Sequence, residues 1–141
     1  MLNPNQVELV QSTFAQVLPI ADAAASLFYS RLFEIDPKLR PMFRGDMREQ
    51  GRKLMDMIRV VVVNLRNLDR VLPGVKALGA RHVGYGVTDE HYDTVAEALL
   101  WTLEQGLADA WNHDVKEAWT AAYTVLANVM KGAAASAEAA A

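Results

Sequence analysis

Residues 78–87 read LGARHVGYGV, an apolar segment that carries one histidine and three glycines. Val75, Leu78 and His82 follow the spacing i, i+3, i+7, which places an imidazole at the end of an apolar helix face. Gly84 follows soon after and favours the end of that helix. A histidine on an apolar face is more often a satisfied core residue than a ligand, so a binding role needs further features.

A second helix face carries the same combination of one polar group and an apolar stripe. Gln50, Leu54, Met57 and Val61 follow the spacing i, i+4, i+7, i+11, so that a carboxamide precedes apolar side chains. On an earlier segment, Tyr29 places a phenol beside a core aromatic, and a buried hydroxyl needs a hydrogen-bond partner. The alternative to a binding role is that Gln50 is simply exposed and that the Tyr29 hydroxyl reaches solvent or a backbone carbonyl.

Helical periodicity extends from these segments over nearly the whole chain, and alternating strand patterns are absent. Asn3 and Pro4 predict the start of the first helix, and Leu18 and Leu27 are expected to be buried. The sequence predicts an all-α domain over residues 1–131 and a low-complexity, frayed tail over residues 132–141. The six or seven predicted helices span about residues 3–18, 20–33, 36–43 (a bent turn, partly 3₁₀), 45–68, 73–82, 88–110 and 112–131.

Composition excludes several classes of function. The chain has 141 residues, a mass of 15.6 kDa and a formal net charge of −3, so no basic surplus is available for nucleic acid. There is no cysteine, which excludes disulfides, thiolate nucleophiles, iron–sulfur clusters and covalent haem attachment through a Cys-x-x-Cys-His motif.

The chain carries no recognisable targeting or membrane segment. Its first residues lack a basic start followed by an apolar run, so no signal peptide is predicted. The longest β-branched run, residues 60–63, is far shorter than the ~20 residues of a membrane span. Together with the lack of cysteine, which fits a reducing compartment, these features lead us to expect a cytoplasmic protein without a membrane partner.

Several stretches, taken in order, resemble the single-domain bacterial haemoglobins, which are similar to the globin domain of flavohaemoglobins. They cover about residues 5–130, and their combination is more specific than any one of them. The stretches are LFYSRLF at 27–33, Pro37 with Phe43, QGRKLM at 50–55, LGARHVGYGV at 78–87, His91-Tyr92, and AWTAAY at 118–123 with Ala127.

The resemblance implies a globin fold whose helices enclose a non-covalent haem b (iron protoporphyrin IX). It implies that His82 is the proximal iron ligand, and that Tyr29 and Gln50 form a distal polar pair that hydrogen-bonds O₂ at a five-coordinate ferrous iron. Leu54 would be the apolar distal wall, and Phe43 would pack on the haem. Further cofactor-binding residues are Phe28, Leu78, Val87 and Tyr92, with Lys53 and Arg81 as candidates for the haem propionates or, alternatively, as solvated charges.

Two functions follow from the resemblance, and the sequence does not separate them. One is reversible O₂ binding for storage or transport, with CO and NO as further small ligands. The other is an enzymatic function, nitric oxide dioxygenation of O₂ and NO to nitrate, for detoxification. Flavohaemoglobins continue into flavin- and nicotinamide-binding domains that this sequence lacks, so a separate reductase is expected as the electron donor.

The sequence departs from the family on the proximal side. Tyr92 matches the tyrosine that the family often pairs with the ligand histidine, but the expected glutamate would fall near Ala134, where no acid stands. We therefore expect a weaker electronic push on the iron than in a strong peroxidase or dioxygenase.

Two readings outside the haem proteins remain open at this stage. One is a helical signalling or interaction module without a cofactor. The other is a metal or acid–base enzyme that uses Asp and Glu, although no His-x-x-x-His pair or paired-carboxylate motif supports it.

Overall fold

The structure is a computed structural model that describes residues 2–43, 45–84 and 86–140. These ranges contain six α-helices, four short 3₁₀ segments and no strand, which confirms the all-α prediction. The α-helices are α1 (Pro4–Val17), α2 (Ala21–Ile35), α3 (Met47–Val63), α4 (Leu72–Gly84), α5 (Asp89–Leu107) and α6 (His113–Ala140). The 3₁₀ segments are Leu18–Ile20, Pro37–Met42, Leu65–Arg70 and Ala108–Ala110.

The first helix begins where its sequence predicts. The Asn3 side chain accepts a hydrogen bond from the Gln6 backbone N–H at 2.8 Å, and the Gln6 side chain accepts one from the Asn3 N–H at 3.1 Å. This reciprocal pair satisfies two backbone donors that the first helical turn leaves without partners, and Pro4 occupies the position where its missing N–H costs nothing.

The long central helix is shorter than the predicted range of residues 45–68. It ends at Val63, and the Asn64 side chain donates a hydrogen bond to the Val60 carbonyl at 2.8 Å. Asn67, in the following 3₁₀ segment, has the non-helical angles φ −141° and ψ 55°. Four consecutive valines lower helix propensity, and an asparagine that bonds to nearby backbone competes with the helical ladder.

The last helix is longer than expected. It continues beyond Gly132 to Ala140, over residues whose low-complexity sequence predicts a frayed tail. Alanine has the highest helix propensity of all residues, which favours continuation of an established helix. The proposed domain limit at residue 131 stays a prediction.

The core joins both ends of the chain through α1 and α6. The Trp119 indole N–H donates to the Thr13 hydroxyl at 2.9 Å, and the Phe14 ring lies 6.2 Å from the Trp119 ring. The expectation that Leu18 and Leu27 are buried is wrong, since they are 41% and 38% exposed. Leu18 lies beyond the end of α1, and Leu27 lies outside the buried face of its helix.

No helix in the part of the chain that the structure describes is both long enough and apolar enough to cross a lipid bilayer.

Candidate functional site

An apolar cavity of about 190 Å³ lies among α2, α3, α4, α5 and α6. It also touches the 3₁₀ segment Pro37–Met42 with the corner at Phe43, and the loop before α5, so that seven parts of the chain meet around it. Seven of the eleven residues predicted to bind a cofactor line this cavity: Phe28, Phe43, Leu54, Leu78, His82, Val87 and Tyr92.

His82 is half-buried on α4 and borders the cavity. Its Nδ1 lies 2.7 Å from the Leu78 carbonyl oxygen, which can only accept, so Nδ1–H is the donor and Nε2 carries the lone pair. Burial lowers the pKa of His82; the Leu78 carbonyl opposes this shift and the Arg81 charge adds to it. The neutral imidazole favoured here is the form that ligates metals, and its other nitrogen is fixed by the Leu78 bond.

The side chains of Tyr29 on α2 and Gln50 on α3 interact with each other, and their role toward a ligand stays a prediction. Burial raises the pKa of the Tyr29 hydroxyl, and a hydrogen bond from the Gln50 side chain partly offsets the rise. Neither residue is among those that line the cavity. The Tyr29 ring instead packs edge-on against Phe28 at 5.0 Å and Phe43 at 5.3 Å, and both of these rings do line it. The Tyr29 ring therefore lies behind the two phenylalanine rings that form this part of the cavity wall.

The two candidate propionate residues lie outside the cavity. The side chain of Lys53 is 70% exposed, and its Nζ is 3.9 Å from Glu49 Oε1. Arg81 is exposed on α4, one residue before His82. Lys53 and Arg81 each lie on the surface of a helix that borders the cavity. Their interaction with a cofactor stays a prediction.

Several cavity residues are not among the eleven predicted to bind a cofactor. They include His91, which also accepts a hydrogen bond from the Thr88 N–H at 3.0 Å and so caps α5. They also include Tyr123, whose hydroxyl donates to the Tyr92 carbonyl at 2.7 Å. Both stand in stretches that carry the family resemblance, which was the available signal. The others, among them Met42, Met57, Val95, Leu99 and Met130, have core-like spacing that does not distinguish a cavity wall from a solid core.

Tyr92 contributes a polar atom to this apolar surrounding. Its side chain is 6% exposed, and its hydroxyl has no hydrogen-bond partner among the residues that the structure describes. Burial and the nearby Asp89 charge raise the pKa of this hydroxyl. The Lys131 ammonium lies 5.6 Å from the centre of the Tyr92 ring.

The donor set of this cavity fits a haem. Within residues 2–43, 45–84 and 86–140, no group of three or more His, Cys, Asp or Glu side chains could hold a bare metal ion. An apolar cavity with a neutral imidazole on one wall matches the way proteins hold haem, in which the protein supplies an axial ligand and apolar contacts.

Comparison with known sequences identifies the family to which the chain is similar. The sequence model of the family described as "Globin" matches residues 26–130. Flavohemoproteins of Xylella fastidiosa, Vibrio cholerae and Bacillus subtilis are 33%, 31% and 28% identical to this chain over 92%, 92% and 94% of its length. The chain spans about a third of the length of these curated relatives, 33% or 34% in each case.

Two solved structures from bacteria have a similar fold. An engineered carbene transferase built on RmaNOD of Rhodothermus marinus, described as a candidate nitric oxide dioxygenase, superposes with a TM-score of 0.90 at 23% identity, over 99% of this chain and 98% of that chain. A bacterial globin from Campylobacter jejuni superposes with a TM-score of 0.83 at 23% identity, over 95% and 97% of the two chains. These similarities confirm the fold predicted from the sequence.

Proposed function

The chain belongs to the globin family, and from this premise we propose that it binds O₂ reversibly at a haem held by His82. Membership of this family implies haem binding. A non-covalent haem of the b type is the finer part of the proposal, supported by the absence of any cysteine for covalent attachment. The observation that carries the proposal is the apolar cavity with the neutral His82 imidazole on its wall.

The residues in and around the cavity have different roles in this proposal. A bound haem supplies an iron site for diatomic gases such as O₂, CO and NO. His82 ligates through Nε2 while the Leu78 carbonyl holds its Nδ1–H, which fixes the orientation of the ring. The apolar side chains of Leu54 and Phe43 exclude water from the space next to them. Lys53 and Arg81 interact with the propionates at the surface.

Tyr29 and Gln50 are proposed as hydrogen-bond donors to the gas ligand. Both side chains carry a donor group, and the buried Tyr29, which packs against Phe28 and Phe43, interacts with the partly buried Gln50. Hydrogen bonds in such a low-dielectric surrounding are stronger than in water, so they favour the ligand that draws the most negative charge onto its atoms. O₂ draws more charge than CO, and the pair therefore favours O₂.

A second candidate function is nitric oxide dioxygenation, in which O₂ and NO combine to give nitrate. It is supported by the flavohemoprotein relatives and by the description of the Rhodothermus marinus neighbour. Continued turnover needs an electron donor, so this function includes a separate reductase as partner. A cytoplasmic location is part of both proposals.

An absorption spectrum of the purified, reduced protein with and without O₂ and CO tests the haem proposal. We expect a sharp haem band that shifts with each gas and is lost or strongly reduced in His82→Ala. His113→Ala is the matched control, because the His113 side chain is 79% exposed and pairs with Glu117 at the surface. A folded His82→Ala variant that keeps the wild-type spectrum would contradict the proposal.

Mixing the oxygenated protein with NO separates the two functions. Sustained nitrate formation with a reductase and a reductant present would favour the dioxygenase. A single stoichiometric turnover under the same conditions would favour reversible O₂ binding.

A further inference from the structure

A second concave surface lies on the other side of Tyr29. It is a polar groove of about 640 Å³ between α2, α3 and the 3₁₀ segment Pro37–Met42. Its floor includes Ala25 and Gly51, where α2 and α3 cross so closely that a Cβ on Gly51 would lie 2.9 Å from the Ala25 Cβ. A volume of this size is in the range of small-molecule sites in proteins.

Three arginines border this groove. Arg48 and Arg52 stand one turn apart on α3, and Arg40 comes from the facing 3₁₀ segment. In the part of the chain that the structure describes, none of the three lies within 4.0 Å of a carboxylate oxygen. Like charges at i, i+4 destabilise a helix by repulsion, and an anion between the two guanidinium groups would remove this repulsion.

The opposite wall has a different chemistry. Asp22, Ser26 and Ser30 follow the spacing i, i+4, i+8 on α2, so one carboxylate and two hydroxyls face the groove. The hydroxyls can donate to anionic oxygens, whereas the carboxylate repels an anion and accepts only from donors. A ligand that suits both walls therefore has an anionic end and a hydroxyl-bearing end.

We propose that this groove binds a nucleoside diphosphate. The diphosphate would lie against Arg40, Arg48 and Arg52, since planar guanidinium groups match phosphate oxygens in a bidentate arrangement. The sugar hydroxyls would donate to Asp22. The site is distinct from the apolar cavity, and the proposal does not depend on haem binding.

Isothermal titration calorimetry of the purified full chain in about 50 mM salt tests this proposal, with ADP, inorganic pyrophosphate and adenosine as probes. We expect ADP to bind with a dissociation constant below about 100 μM, pyrophosphate to bind more weakly, and adenosine not to bind. Pyrophosphate that binds as tightly as ADP, or ADP that does not bind below about 1 mM, would overturn the nucleotide assignment.

Variants locate the binding. The double variant Arg48→Gln, Arg52→Gln is expected to weaken ADP binding at least about tenfold, because charged hydrogen bonds to phosphate are lost. Arg59→Gln, Arg70→Gln loses the same charge from exposed positions outside the groove and should change the affinity less than about twofold. An equal loss in both double variants would indicate unspecific charge attraction and would overturn the groove as the site. Circular dichroism confirms that each variant is folded.

Discussion

Tyr29 takes part in two features of the molecule. Its hydroxyl pairs with Gln50 beside the proposed haem cavity, and its side chain also borders the arginine groove. Burial gives this residue its chemistry, because a desolvated phenol keeps its proton and therefore stays a donor over a wide pH range. His82 shows the complementary effect, since burial favours the neutral form that can ligate iron.

The donor role of Tyr29 and Gln50 predicts a difference between two gases. In Tyr29→Phe, Gln50→Leu we expect O₂ dissociation to become about a hundredfold faster or more, because two charge-assisted hydrogen bonds contribute roughly 1.5–3 kcal/mol each. CO dissociation should change far less. Stopped-flow ligand replacement measures both rates, and Gln105→Leu, exposed on α5, serves as the control. Equal acceleration of both gases would refute the donor role.

At the scale of elements, the close packing of α4 against α6 sets the position of α4, the helix that carries His82. Gly79 is buried at this crossing, and a Cβ at its position would lie 2.5 Å from the Met130 carbonyl oxygen and 2.7 Å from the Met130 Cα. Backbone atoms cannot move aside as a flexible side chain can. Because Gly79 has no side chain, α4 and α6 can pack at this short distance.

Gly79→Ala should consequently destabilise the protein. We expect the free energy of unfolding to fall by about 1–3 kcal/mol, the usual cost of overpacking, as measured by urea denaturation. Gly74→Ala in the same helix is the control, because apart from the adjacent helix backbone no atom of the described residues lies within 4 Å of the added Cβ. The control should leave stability unchanged or raise it by up to about 1 kcal/mol through helix propensity. Similar losses in both variants would show that the crossing does not explain the effect.

At the scale of the whole molecule, buried tyrosines from three helices link stability to alkaline pH. Burial raises the pKa values of Tyr29 on α2, Tyr92 on α5 and Tyr123 on α6 above the ordinary value of 10.0. The folded state then holds these protons more tightly than the unfolded state. The stabilisation is complete below the unfolded pKa and is lost as the pH rises through the folded values.

The free energy of unfolding should therefore decline steadily above about pH 10. Urea denaturation between pH 8 and pH 11 measures the decline, and tyrosinate absorbance reports the titration directly. Tyr123→Phe removes one of the three groups, so the decline should be shallower in this variant than in the wild type. A wild-type stability that stays constant over this range would contradict the shifted pKa values.

Much of the architecture can be predicted from residues that are close together in the sequence. The start of α1 follows from Asn3 and Pro4, because capping depends on residues within one helical turn. Residue spacing alone also places His82 at the end of one apolar helix face and Gln50 at the end of another. The end of α3 was misplaced, because the competition between Asn64 and the helical ladder is too close to decide from spacing.

The sequence by itself determined that the chain is helical and which helix faces are apolar. It also determined that His82 and Gln50 are the polar residues at one end of two of these faces. Only the tertiary structure decided that seven of the predicted residues surround one cavity, that the Tyr29 ring lies behind two of its wall residues, and that three arginines border a separate groove. The physical reason is range: periodicity and capping act over one or two turns, whereas cavities and grooves arise where helices distant in sequence pack imperfectly against one another.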